Sequence, residues 1–159
     1  MTDIKSIPNP RFLQEEALRE AIELLFFAYR DFTGEPDRVL DSMGMGRAHH
    51  RAIYFVGLTP GITVSELLAI LRITKQALAR VLRHLIDEGF LHQTEGADDR
   101  RKRHLFLTEK GQQFERELSE TQFRLLADAF AQAGPEDVDG FKTILKLIIA
   151  PQDRERYLS

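Results

Sequence analysis

A chain of 159 residues with 22 Lys or Arg against 25 Asp or Glu has a formal net charge of −3. It is therefore no uniformly basic coat, and any contact with a polyanion must come from local clustering. The length fits one domain with helical extensions, 43% hydrophobic residues supply a sizeable core, and the lack of cysteine excludes disulfides, thiolate metal sites and thiol redox sensing.

No apolar run approaches the roughly 20 residues needed to cross a bilayer, and the N-terminus lacks a basic stretch followed by an apolar one. A cytoplasmic protein without a membrane partner is expected. Pro8 and Pro10 mark an irregular start. From about Arg11 to Phe32, Leu18, Ile22, Leu25, Phe26 and Tyr29 recur at helical spacing, and Gly34 and Pro36 are expected to end that helix. Residues 35–46 read as a loop with a short turn around Val39, Leu40 and Met43. A second helix is expected from Arg47 to Gly57, stopped by "GLTPG".

"TVSELLAIL" opens with Thr63 and Glu66 at capping-box spacing, which predicts a short helix over 64–71. Thr74 can cap another helix running to Glu88, with Gly89 closing it. "FLHQTE" and "HLFLT" read as two strands of a hairpin with a long charged tip. A long helix follows over about 109–132. Pro135 stands as the first residue of another, whose apolar face is Phe141, Ile144, Leu145 and Ile148. The expected fold is mainly α with a small β-hairpin wing (α+β), a winged helix set between helical arms. Its parts are an N-terminal helical arm over 1–34, a helix–turn–helix with its wing over 45–108, and C-terminal helices over 109–159.

The helix after Thr74 divides into two faces. Leu78, Val81, Leu82 and Leu85 share one and are expected to pack on the preceding helix. Lys75, Gln76, Ala79, Arg80 and Arg83 are left for the other, and no acid appears before Asp87. A capped N-terminus carrying cations favours phosphate through its dipole and free amides, and Gln and Arg can read base edges in a major groove. The hairpin tip, "DDRRKR", adds a second basic element, of the kind that enters a narrow minor groove. A solvated face and a wet loop would explain either cluster alone; the two together point to double-stranded DNA.

The run from Leu58 to Gly111 resembles the MarR family of winged helix–turn–helix regulators. The matching residues are Thr63, Glu66 and Leu67; Ile73, Thr74, Leu82, Leu85 and Gly89; Asp99 and Arg101; and Leu107, Thr108 and Gly111. Leu68 stands where the family commonly has alanine. Arg72 stands where the inter-helix turn often has glycine, adding a cation and an unfavourable backbone conformation. The resemblance implies that Thr74, Lys75, Gln76 and Arg80 face the major groove and Arg83 a phosphate. It implies that Arg101 enters the minor groove, braced by Asp99 through carboxylate–guanidinium pairing, while Arg100, Lys102 and Arg103 meet phosphates. It further implies a homodimer whose first and last helices interlock, a pseudo-palindromic operator, and repression of transcription.

In that family the first two helices border a cleft that takes a small aromatic or anionic effector. Phe27, Tyr29, Arg30, His49, His50 and Tyr54 are the candidate lining here; structural packing or a solvated helix start is the plainer account of the two histidines. Adjacent histidines point about 100° apart on a helix, which makes them poor joint ligands, so no metal and no cofactor is expected. No Gly-rich phosphate loop, His-Glu-x-x-His or cysteine nucleophile is present, so no enzyme is expected. The competing reading is a winged-helix module that binds protein, which would need an apolar or acidic recognition face.

Overall fold

The helix starts follow from local hydrogen bonding. In α3 (Val64–Leu71) the Thr63 hydroxyl accepts the Glu66 amide at 3.1 Å and the Glu66 carboxylate accepts the Thr63 amide at 3.0 Å, closing the expected capping box. In α4 (Lys75–Asp87) the Thr74 hydroxyl accepts the Ala77 amide at 3.1 Å. The computed structural model describes residues 10–158; Pro8 of the expected irregular start lies outside them. Two units divide the chain, Met1–Leu118 and Ser119–Ser159.

In the first unit a 3-10 turn (Arg11–Leu13) precedes α1 (Glu15–Ser42) and α2 (Arg47–Leu58), and α3 and α4 follow. Strands β1 (Leu91–Glu95) and β2 (Arg103–Leu107) pair antiparallel, with Leu91 opposite Leu107 and Glu95 opposite Arg103. Ile62 accepts the Leu105 amide and Gly61 donates to the Leu105 carbonyl, so the turn before α3 lies along β2. Then α5 (Glu109–Ala133) begins, and it runs across the division. The core joins Leu40 of α1, Ala52, Ile53 and Val56 of α2, Leu67 of α3, and Leu78, Leu82 and Leu85 of α4. Met45, Ile62, Val81, Phe90, Leu91, Leu105, Phe114 and Leu118 complete it. The second unit holds the rest of α5, α6 (Pro135–Ile148) and α7 (Pro151–Tyr157), with Phe130 and Phe141 packed edge to face. The sequence reading had no α7.

The largest correction concerns α1. Gly34 and Pro36 do not end it; it continues to Ser42, and the loop expected over 35–46 shrinks to a short turn. The arm boundary placed at 34 therefore falls inside a helix. Proline in a helix interior removes one backbone bond and crowds the preceding turn, at about 3 kcal/mol. Burial of Thr33, Pro36 and Leu40 along one stripe offsets that cost, because the apolar face continues past the breakers. Thr33 also donates its hydroxyl to the Tyr29 carbonyl at 2.9 Å.

Between α3 and α4, Arg72 sits in the left-handed region at φ 52° and ψ 42°. That conformation costs a residue with a Cβ about 1–2 kcal/mol. Arg72→Gly is expected to raise the melting temperature by about 2–4 °C, for a gain of about 1 kcal/mol, as thermal unfolding would report.

Candidate nucleic-acid interface

Helix α4 presents the two faces its sequence implies. Leu78, Val81, Leu82 and Leu85 are buried, while Thr74, Lys75, Gln76, Ala79, Arg80 and Arg83 are exposed. The first turn holds no acid, so the dipole and unbonded amides of its N-terminus stand beside cations alone. Exposed Arg72 adds another positive charge just before it.

The hairpin tip is a shaped loop. Gly96 donates its amide to the Lys102 carbonyl at 2.9 Å, and Lys102 donates to the Asp99 carbonyl at 3.1 Å. A Cβ on Gly96 would lie 2.6 Å from the Asp99 carbonyl oxygen, so glycine lets the two sides of the loop close. Asp99, Arg100, Arg101, Lys102 and Arg103 are all exposed. The Asp99 carboxylate accepts the Arg101 backbone amide at 3.0 Å. The brace expected between carboxylate and guanidinium is therefore made to the main chain: Asp99 fixes the turn that carries Arg101 and leaves the guanidinium in solvent. Arg103 belongs to β2 and pairs with Glu95 across the strands at 3.2 Å, half its side chain exposed. Its charge is partly used within the hairpin.

The hairpin is anchored at both ends. His104 Nδ1 lies 2.8 Å from the Gly61 carbonyl, fixing β2 to the turn before α3. Thr108 donates its hydroxyl to the Gly89 carbonyl at 2.6 Å and accepts the Gly111 amide at 3.0 Å. That one residue starts α5 and holds it to the turn leaving α4. The stacked rings of Phe90 and Phe114, 4.5 Å apart, lie beneath.

The six candidate effector residues fall into separate groups. Tyr29 is joined to α2: its hydroxyl accepts from Arg51 at 2.8 Å, and the Arg47 guanidinium lies 5.4 Å from its ring centroid. Arg47 also pairs with Asp37 at 3.1 Å. Phe27 and Arg30 stack on each other along α1 at 4.8 Å, and Tyr54 meets Phe55. His49 is engaged elsewhere, since its Nδ1 accepts the Gly46 amide at 3.1 Å and its Nε2 lies 3.1 Å from His84 Nδ1. Burial, and then the charge of His84, hold the His49 pKa below its ordinary value. His50 is also lowered by burial, against the opposing pull of Asp37 and Glu115. His84 lies 35 residues from His49 in the chain, and no local pattern marks the two as partners.

Two helices packed on a common core, the second with an exposed cationic face, and an anchored basic hairpin define a winged helix–turn–helix protein. A family model described as "MarR family" matches residues 43–102. Over 146 residues the chain is 51% identical to the HTH-type transcriptional regulator PetP of Rhodobacter capsulatus, covering 92% of this chain and 88% of that one. The fold is similar to Streptococcus pneumoniae FabT solved in complex with DNA, with TM-score 0.72 and 19% identity over 82% of this chain and 94% of that one. It is also similar to S. aureus MepR solved in complex with DNA, with TM-score 0.63 and 16% identity over 79% of this chain and 93% of that one. The protein belongs to the MarR family. Membership makes it a transcriptional regulator and not an enzyme.

Proposed function

We propose that this protein binds a specific double-stranded DNA sequence as a homodimer and represses transcription by occupying it. The observation that carries the reading is the pair of exposed basic elements: the acid-free start of α4 and the hairpin tip around Arg101. Thr74, Lys75, Gln76 and Arg80 read the major groove, Arg83 and the flanking tip cations Arg100, Lys102 and Arg103 contact phosphates, and Arg101 enters the minor groove. A protein-binding module would need an apolar or acidic face on α4, and the exposed residues there are neither. FabT and MepR, both solved with DNA, support the choice of ligand.

Apolar side chains left in water support the dimer. Ile22 of α1 is 66% exposed, and Leu147 and Ile148 at the end of α6 are 67% and 65% exposed. Leu18, Leu25, Phe26 and Ile144 extend these faces. A second copy covers them, and a twofold axis then sets two recognition helices about 34 Å apart on a pseudo-palindrome. Tyr29 with Arg47 and Arg51 is the most defined part of a site for a small aromatic or anionic effector.

The test is a fluorescence-anisotropy titration against the DNA upstream of the protein's own gene, beside a scrambled duplex, across a salt series. Tighter binding to the upstream DNA, by about a thousandfold at moderate salt, with a steep fall as salt rises, is the expected result. Absence of binding to either duplex at low salt overturns the reading.

A further inference from the structure

His49 of α2 and His84 of α4 meet half-buried, with Nε2 and Nδ1 3.1 Å apart and their rings edge to face. The backbone fixes the sense of this bond. The Gly46 amide can only donate, so His49 Nδ1 must accept, and the neutral ring then carries its proton on Nε2. That N–H donates to His84 Nδ1, and His84 keeps its own proton on Nε2. The same logic argues against a metal between the facing nitrogens. Freeing His49 Nε2 for a metal would move its proton to Nδ1, against the Gly46 N–H.

We propose that His49 and His84 form a proton-sensitive latch that positions the recognition helix α4 against the start of α2, so that DNA affinity falls when a second proton enters between the two rings. The inference rests on the DNA-binding reading above. An incoming proton has two places to go. On His49 Nδ1 it faces the Gly46 N–H; on His84 Nδ1 it faces the His49 N–H. The first frees the Gly46 amide but leaves the His49 N–H donating to His84; only the second parts the two helices.

Among the described residues, the charge acting on His49 is that of His84. His84 has Arg80 one turn before it on α4, and Asp87 at the helix end and Glu88 just beyond it one turn after. Asp37 of α1, Glu115 of α5 and Arg51 of α2 act on the neighbouring His50. The sign follows from proton counting. The latched form binds fewer protons than the open form, so the latch is whole above about 6.5, the ordinary histidine value, and weakens as pH falls below it.

Two measurements test the latch. Proton–nitrogen correlation spectra of the histidine rings at pH 8 are expected to find the His49 proton on Nε2, with a titration midpoint below 6.5 that rises in His84→Ala. Anisotropy against the upstream duplex at pH 8 and pH 5.5 is expected to give about a tenfold loss of affinity in the wild type. In His84→Gln the amide oxygen accepts from His49 Nε2 at either pH, so affinity at pH 8 is kept and the loss shrinks to about twofold. His84→Ala, with no acceptor, is expected to bind weakly at both. Protonation of other histidines shifts all three proteins alike and cancels in the comparison.

Parallel pH profiles for the wild type and His84→Gln overturn the latch, as does a His49 proton on Nδ1 or a midpoint unmoved by His84→Ala. Failure of the wild type at pH 8 to prefer the upstream duplex counts instead against the DNA reading, and the ring spectra still decide whether the proton-sensitive link exists.

Discussion

Alanine in place of Gly111 is expected to lower the melting temperature by about 5 °C or more, a net loss of about 2 kcal/mol or more for a chain of this size. On propensity alone the sign would be the opposite, because alanine in a helix is about 1 kcal/mol better than glycine. Gly111 lies in the first turn of α5, where its Cα passes against the main chain of the turn leaving α4. A Cβ there would stand 1.9 Å from the Phe90 carbonyl oxygen and 2.9 Å from its carbon. The obstacle is backbone, so no rotamer change relieves it, and overpacking of about 3 kcal/mol outweighs the helix gain. The same carbonyl accepts the Thr108 amide at 3.1 Å, so any shift that admits the methyl also strains the anchor of β2 and α5. Thermal unfolding followed by circular dichroism checks the expectation. A melting temperature equal to or above the wild type would mean that the α5 start yields freely and does not fix the hairpin.

The second large effect concerns affinity. Arg101→Ala is expected to weaken binding to the upstream duplex by tenfold or more and to reduce the salt slope by about one released counterion. Its melting temperature should stay within about 1 °C of the wild type, since an exposed side chain away from caps and core contributes little to stability. Asp99→Ala separates shape from charge. Removing an acid from a basic loop would strengthen DNA binding if net charge decided the outcome. Asp99, however, accepts the Arg101 amide and so sets the turn that presents the guanidinium. Weaker binding by Asp99→Ala, despite its more positive loop, is therefore expected. Stronger binding would mean that the loop acts only as a cationic cloud. Anisotropy titrations of both variants across a salt series measure slope and affinity together.

The reader region was legible because its signals are local. Thr63 and Glu66 are three residues apart and satisfy each other's amides, so α3 announces itself in five letters. Thr74 caps α4 in the same way, and the spacing of Leu78, Val81, Leu82 and Leu85 left the cations only one face to occupy. The short runs "FLHQTE" and "HLFLT" on either side of "DDRRKR" read as the two strands of a hairpin, and the strands begin within a residue of those runs. The left-handed conformation of Arg72 was legible only through the MarR resemblance, in which the inter-helix turn often has glycine.

Other features depend on residues far apart in the chain. Gly34 and Pro36 are genuine breakers by propensity, yet α1 passes through them because Thr33, Pro36 and Leu40 find a core to bury against. Gly111 is required by a carbonyl 21 positions earlier, a distance at which sequence spacing says nothing about contact. Asp99 and Arg101 were legible as a pair, but which atoms of the pair would meet was settled by the turn. His49 and His84 become partners only through the packing of α2 on α4. The sequence by itself determined the elements, their caps and the face that carries the cations, since propensity, capping and periodicity act within a few residues. The tertiary structure alone decided how far α1 extends, why Gly111 admits no side chain and which histidines meet, because burial and hydrogen bonding between distant segments exist only once the chain has folded.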